Sequence, residues 1–178
     1  TADLVHVVDA LSGAGVRPVR LFGPEHGIRG AAQDMIDVTD ERDERTGLPV
    51  TSLYGATFES LTPPEATLRD LDVLIVDLQD IGSRYYTFQD TMRYCMEAAW
   101  KLGLRTIVLD RPNPIGGDIV EGPTLVPGWE SFVGVHPIAI RHGMTIGELA
   151  RLYHAERKLT GELRVIACEG WRGSMWFD

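Results

Sequence analysis

Cysteine is scarce in this sequence: among 178 residues, only Cys95 and Cys168 occur. Two cysteines cannot build a disulfide framework, and neither has the closely spaced Cys or His partner that a zinc site requires. Long apolar runs are also missing, because no stretch reaches the roughly 18 residues of a membrane span. We therefore expect neither a metal site nor insertion into a membrane. We also expect no signal peptide within these residues.

Positive charge is in short supply as well. The chain has 17 Lys and Arg against 26 Asp and Glu, which gives a formal net charge of -9 and a pI near 5.0. An acidic surface repels phosphate backbones and no basic patch interrupts it, so we expect no nucleic-acid partner. With 44% hydrophobic and 24% charged residues, the composition is that of a globular protein with a core.

The common nucleotide and nucleophile motifs are absent too. Neither G-x-G-x-x-G nor G-x-x-x-x-G-K-[ST] occurs, so the chain lacks the glycine-rich loops that cradle phosphates. No G-x-S-x-G elbow presents a serine nucleophile. The sequence therefore predicts no cofactor and directs attention to carboxylates.

What the sequence does contain is an alternation of helices and strands. The predicted helices are 3–12, one beginning at Pro63–Pro64, 90–102 and 145–158; the predicted strands are 17–22, 50–54, 72–77, 105–109 and 162–168. Such alternation is typical of an α/β fold with a parallel sheet and right-handed crossovers. Two segments interrupt it, a long polar stretch at 25–49 and a less regular region at 115–145.

Three strands end in loops that are dense with polar groups, namely FGPEHGIRG, DLQDIGSRYYTF and DRPNPIGGD. In parallel sheets, ligands bind outside the carboxyl ends of the strands, so we expect the functional residues there. Aromatic rings beside hydrogen-bonding groups suit the face of a sugar ring. The candidate binding residues are Arg29, Asp77, Gln79, Asp80, Arg84, Tyr86, Asp110, Arg111, Asn113, Glu121, Arg141 and His142.

Several candidates also admit a purely structural interpretation. Glu25 could cap a helix end or pair with Arg29, and Asp77 could simply terminate its strand by bonding backbone amides. His142 has no second ligand at metal spacing, and lone histidines are more often structural than ligands. The residues alone leave these alternatives open.

Glu97 is the least certain of the carboxylates. It shares a polar stripe of the predicted helix 90–102 with Arg93 and Lys101. Such a stripe favours a solvated helix face on which Glu97 forms ion pairs at i±4, each worth about 0.2–0.5 kcal/mol.

Six motifs follow one another along the chain: LFGPEHGIRG, TGLPVTSLYG, DVLIVDLQDIGSRYYTF, TMRYCMEAAW, VLDRPNPIGGDIVEGP and FVGVHPIAIRHGMTIGELA. Their order resembles the exo-β-N-acetylmuramidases of bacterial cell-wall turnover, and the resemblance covers residues 21–178. It implies a Rossmann-like α/β fold, a three-layer parallel sheet. It also implies an enzyme that removes terminal β-1,4-linked N-acetylmuramic acid from the non-reducing end of peptidoglycan fragments.

The resemblance implies roles for individual residues. The family's two proposed catalytic glutamates correspond to Glu25 and Glu97, so the stripe around Glu97 would line a cleft. We expect Glu25 to be the general acid and His26 to position the substrate. The lactyl carboxylate of muramic acid calls for a cation, and guanidinium groups grip carboxylates through two hydrogen bonds. The candidates for that contact are Arg29, Arg84, Arg111 and Arg141.

The resemblance also predicts the domain organisation. We expect residues 1–178 to be a partial Rossmann-like catalytic domain in which 115–145 is a less regular segment at the cleft. Relatives begin with a further strand and continue into a C-terminal domain, so we expect this chain to lack both. Two other functions fit the residues: a non-catalytic module that binds sugar or cell wall, and a metal-assisted hydrolase that uses His26, Asp77 and Asp80.

Overall fold

The structure is a computed structural model that describes residues 5–29, 41–55, 57–156 and 160–177. The chain divides into two compact units, Thr1–Leu61 and Thr62–Asp178, which we call the N-terminal and C-terminal units. Within the described ranges, no helix is long and apolar enough to span a membrane.

The N-terminal unit combines one helix with a small sheet. Its elements are α1 (Val7–Gly13), β1 (Leu21–Gly23), β2 (Glu41–Arg42), β3 (Pro49–Ser52) and a 3₁₀ turn at Phe58–Leu61. The strand order is β1-β3-β2, with β1 parallel and β2 antiparallel to β3. A small core forms where Val8 of α1 packs with Leu21 and Val50 of the paired strands.

The C-terminal unit is built on a parallel sheet. Its elements are a 3₁₀ turn (Glu65–Thr67), β4 (Val73–Val76), α2 (Phe88–Lys101), β5 (Arg105–Leu109), β6 (Glu121–Thr124), β7 (Ala139–Arg141), α3 (Ile146–Glu156) and β8 (Leu163–Ile166). Strands β4, β5 and β8 are parallel neighbours in that order. Helices α2 and α3 pack on this sheet and against each other. One common crossover hand explains this arrangement, because it places the helices of successive crossovers on the same face.

Most predicted elements are present, and the α/β prediction is confirmed. Strand β5 has the predicted bounds, and the capping box of α3 forms because Thr145 and Glu148 each accept the other's backbone N–H, at 3.2 and 2.9 Å. Residues 3–4 and 157–158, which the predictions assigned to helices, and 30–40 of the polar stretch lie outside the described ranges.

The helix predicted from Pro63–Pro64 is wrong, because only the 3₁₀ turn Glu65–Thr67 forms there. The chain must bury Leu68 completely and then enter β4 at Val73, which leaves room for a single turn. The region 115–145 holds a feature that the sequence did not predict: β6 and β7 pair as an antiparallel ladder. Every residue of β6 is exposed, so the strand has no alternation of apolar and polar residues from which it could be predicted.

Candidate active site

Glu25 and His26 occupy a tight turn directly after β1. The turn is closed by a hydrogen bond of 2.9 Å from the N–H of Gly27 to the carbonyl of Pro24. His26 has a φ of 72°, a left-handed conformation that few non-glycine residues adopt. Strained residues of this kind concentrate at functional sites, where surrounding structure holds them in place. The turn therefore presents two half-buried polar side chains at the end of a strand.

Arg29 is held by a carboxylate of its own unit. Its Nε and Nη2 donate to the two oxygens of Asp43 at 2.9 and 2.8 Å, and the Asp43 side chain is only 3% exposed. Asp43 also accepts from the backbone N–H and hydroxyl of Thr46. The Arg29 hydrogen bonds, with those from Thr46, hold the pKa of Asp43 well below its usual 3.8. Arg29 thus anchors the loop, since its charge is already neutralised.

Asp77 and Arg111 connect two neighbouring strand ends. The Arg111 Nε and Nη2 donate to the two Asp77 oxygens at 2.5 and 2.9 Å, a bidentate pair that joins the end of β4 to the end of β5. The hydrogen bond to Asp77 raises the pKa of Arg111. Beside them, Gln79 donates to the carbonyl of Pro112 at 2.9 Å. The sequence-predicted Asp77, Gln79 and Arg111 therefore do come together at the carboxyl edge of the sheet.

Asp80 and His142 form a buried pair in the same region. Their side chains are 3% and 0% exposed, and Nε2 of His142 lies 3.2 Å from an Asp80 oxygen without forming a hydrogen bond to it. That oxygen accepts from the N–H of Gly82 at 2.7 Å. Because Nδ1 of His142 accepts from the N–H of Met144, the neutral ring carries its proton on Nε2, toward Asp80. The pair fixes the loop after β4.

Asp110 uses both carboxylate oxygens within the fold. One accepts from the N–H groups of Arg111 and Gly147 at 3.0 and 2.8 Å, and the other from the hydroxyl of Thr145 at 3.1 Å. A carboxylate at a helix N-terminus is favoured by the unpaired N–H groups and the helix dipole. Asp110 therefore joins the end of β5 to the start of α3.

Arg141 and Asn113 organise the loops nearby. Arg141 donates to Glu121 at 2.7 Å and to the carbonyl of Ile115, and its guanidinium lies 4.7 Å from the ring centre of Trp176. Asn113 is 2% exposed, and its amide donates to the carbonyl of Met144 at 2.9 Å. Tyr86 packs against Phe88 with ring centroids 4.7 Å apart.

Glu97 lies on α2, about 13 Å along the helix axis from Phe88 at 1.5 Å per residue. It accepts from Arg93 at 2.9 Å, which is the i,i+4 pair that the sequence suggested. The stripe is not a solvated face, however, because the Arg93 and Asp90 side chains are each 3% exposed and Glu97 is 22% exposed. Glu97 therefore lies in a mostly buried polar stripe of α2.

Sequence reasoning missed two residues that organise these sites, Asp43 and Arg93. Asp43 lies in a run of charged residues, and nothing in its spacing marks it as the partner of Arg29, 14 positions away. The polar stripe of α2 predicts a solvated Arg93, yet this residue is 2% exposed. Among the residues that the structure describes, no group of three or more His, Cys, Asp and Glu side chains is arranged to hold a metal ion.

Residues 1–178 match the family described as "Exo-beta-N-acetylmuramidase NamZ, N-terminal". The chain belongs to this family. It is 48% identical over 163 residues to the peptidoglycan beta-N-acetylmuramidase NamZ of Bacillus subtilis strain 168, a match that spans 92% of this chain and 39% of that protein.

The solved structures agree with the family assignment. Two DUF1343 family proteins from Bacteroides fragilis NCTC 9343 superpose with TM-scores of 0.86 and 0.80 at 42% and 38% identity. They match 98% and 96% of this chain, which covers 44% of each of them. The fold is therefore the Rossmann-like α/β fold that the motifs implied. The chain spans less than half the length of these relatives.

Proposed function

We propose that the protein is an exo-acting glycosidase that removes terminal β-1,4-linked N-acetylmuramic acid from the non-reducing end of peptidoglycan fragments. The observation that carries the proposal is family membership, together with 48% identity to a protein named peptidoglycan beta-N-acetylmuramidase. The polar loops at the strand ends support it, since α/β sheets bind ligands at that edge. The partners would be muramic-acid-terminated saccharides.

Glu25 is the proposed general acid. Glycoside hydrolysis uses two carboxyl groups, of which one protonates the leaving oxygen while the other acts as base or nucleophile. Glu25 is half-buried in the turn at the end of β1 and precedes His26, whose backbone is left-handed. In this role Glu25 gives its proton to the glycosidic oxygen as the bond to the anomeric carbon breaks. His26 would hold a hydroxyl of the sugar beside it.

Glu97 is the proposed second carboxylate. Its side chain accepts a hydrogen bond from the buried guanidinium of Arg93, and the second carboxyl group of a glycosidase acts as base or nucleophile. The same pair could equally serve the stability of α2, so the two roles need separate readouts. If Glu97 is catalytic, its substitution should lower kcat. If its role is structural, substitution should lower the free energy of unfolding and leave kcat unchanged.

The test is release of N-acetylmuramic acid, followed by mass, from a muramic-acid-terminated disaccharide with the protein at its natural length. Glu25→Gln should lower kcat by about 10²–10⁴-fold, the usual contribution of a general acid. Glu44→Gln is the matched control, because Glu44 is an exposed glutamate of the same unit. Binding of the disaccharide by the unmodified protein without any turnover would instead identify a sugar-binding module.

A further inference from the structure

Four arginines are candidates for the lactyl carboxylate, and the structure separates one of them from the rest. Three guanidinium groups already face a carboxylate: Arg29 with Asp43, Arg111 with Asp77 and Arg141 with Glu121. Within the described ranges, the guanidinium of the fourth, Arg84, donates hydrogen bonds only to backbone carbonyl groups. An arginine that is already paired with a carboxylate must lose that partner before it can grip a substrate anion. Arg84 can bind one without losing an ion pair.

The Arg84 guanidinium is fixed by a single nitrogen. Its Nη1 donates to the carbonyls of Pro123 and Ile138 at 2.8 and 2.6 Å. Its backbone is fixed as well, since its N–H donates to Ile140 at 2.8 Å and its carbonyl accepts from the buried Gln89 at 2.8 Å. These contacts set the plane of the guanidinium before any ligand arrives, which reduces the entropy lost on binding.

The opposite edge of the guanidinium has donors to spare. Nε and Nη2 make no hydrogen bond in the described structure, and neither is sealed from solvent, in contrast to Nε of Arg93 and of Arg141. These two nitrogens are the parallel donors that fit the two oxygens of a carboxylate. Gly134 lies beside this edge, and a Cβ there would stand 3.5 Å from Nε. Its lack of a side chain keeps that approach clear.

The location suits a sugar ligand. Arg84 belongs to the loop that follows β4, at the carboxyl edge of the parallel sheet. The next residue, Tyr85, has 57% of its surface exposed and offers an aromatic face beside the cation. An exposed ring next to a charged donor suits a sugar that carries an acid.

We infer that the Nε–Nη2 edge of Arg84 is the carboxylate-binding site of this protein and that it recognises the lactyl carboxylate of muramic acid. The inference rests on the proposed function for the identity of the ligand. It assigns specificity to Arg84 and positioning to Arg29, Arg111 and Arg141. The peptide stem of peptidoglycan also carries carboxylates, and the experiment separates that source from the lactyl group.

The experiment compares kcat/KM for a chromogenic β-muraminide with that for the same glycoside bearing a lactyl carboxamide, using the protein at its natural length. The carboxamide keeps the shape and removes the charge. The unmodified protein should prefer the acid by about 10- to 100-fold, the range for hydrogen bonds to a charged group. Arg84→Gln should reduce this preference to about one, while turnover of the carboxamide continues. A preference that survives Arg84→Gln would overturn the inference.

A second variant avoids the loss of the Nη1 contacts. Gly134→Asp places a carboxylate beside Nε of Arg84. Because the two side chains would form an ion pair within the protein, this variant should lose the preference for the acid substrate. Gly134→Asn has the same size without the charge and measures the steric cost alone. If Asp and Asn at 134 lower the preference equally, the charge of Arg84 is not the recognition element.

Two further measurements distinguish failure of the carboxylate site from failure of the proposed glycosidase activity. In a muraminide that carries a dipeptide, the lactyl carbonyl is part of an amide, so the remaining carboxylate belongs to the peptide stem. If the unmodified protein prefers this substrate to the lactyl carboxamide and Arg84→Gln removes that preference, Arg84 binds the stem and not the lactyl group. Calorimetric binding of N-acetylmuramic acid against its carboxamide needs no turnover. Discrimination in binding that is lost in Arg84→Gln, without hydrolysis of any muraminide, would retain the site at Arg84 and refute the proposed glycosidase activity.

Discussion

The loop after β1 is anchored in its unit by the nearly buried pair of Arg29 with Asp43, whereas the loops after β4 and β5 combine the Asp77–Arg111 ion pair with close packing. In the N-terminal unit, Arg29 anchors the turn through Asp43, with Asp9 3.5 Å away. In the C-terminal unit, a Cβ on Gly82 would lie 2.5 Å from both Asn113 and Ile115. The contact at Asp43 depends on charge and the contact at Gly82 depends on packing, so substitutions at these two positions should differ in their pH dependence.

The largest difference should appear on adding a methyl group at a left-handed glycine in each unit. Gly82 has a φ of 85° and no room for a side chain, so Gly82→Ala combines backbone strain with overpacking and should cost about 3–5 kcal/mol. Gly47 has a φ of 70°, and a Cβ there would meet no atom within 4 Å, so Gly47→Ala should cost about 1–2 kcal/mol. Urea unfolding measures both, and equal costs would contradict the packing argument.

The next effect concerns the buried charge of the N-terminal unit. Asp43→Asn should lower the free energy of unfolding by about 1.5–3 kcal/mol at pH 7, because it weakens hydrogen bonds from Arg29 and Thr46 to a charged group. The folded pKa of Asp43 lies below the unfolded value, so this stabilisation is complete above about pH 4 and is lost as the pH falls further.

The pH dependence therefore distinguishes the variant from its control. The difference between the unmodified protein and Asp43→Asn should be constant from pH 7 to 5 and shrink toward pH 2. Glu44→Gln, at the exposed neighbouring position, should show no such trend. All four tryptophans belong to the C-terminal unit, so circular dichroism and tryptophan fluorescence can show whether the loss is confined to the N-terminal unit.

The smallest effect lies within the C-terminal unit and concerns reactivity. Cys95 of α2 is buried, which raises the pKa of its thiol to about 12, whereas Cys168 is half-buried. Only thiolates attack aromatic disulfide reagents. At pH 8, a single thiol should react slowly in the folded protein, and the second should react on unfolding. Cys168→Ser should abolish the first phase, and rapid labelling of Cys95 would show that the core around α2 opens.

The sequence predicted the elements whose stability is local. Strand β5 is an unbroken apolar run, and α3 begins with the Thr145 and Glu148 capping box, so both could be located from a few neighbouring residues. Strand β6 could not be predicted, because Gly122 and Pro123 disfavour a strand and only pairing with β7 defines it.

The site residues depend even more on contacts between distant parts of the chain, which the sequence does not show. The loops with polar residues were predicted, but their pairing was not, since Asp77 and Arg111 are 34 positions apart and the chain offers many other carboxylates. Sequence cannot tell a strand-end aspartate that binds a ligand from Asp110, which caps a helix 37 positions away. Only tertiary structure shows which arginine retains donors for a substrate.

The link between Asp110 and the first turn of α3 has a consequence for how this family can diversify. It closes the segment from residue 111 to 144 into a loop whose two ends are hydrogen-bonded to each other. Doubling the length of such a loop adds only about 0.6 kcal/mol of closure entropy. An insertion between Asp110 and Thr145 therefore need not shift the strand ends beneath it, provided that it leaves in place the carbonyls that hold Arg84.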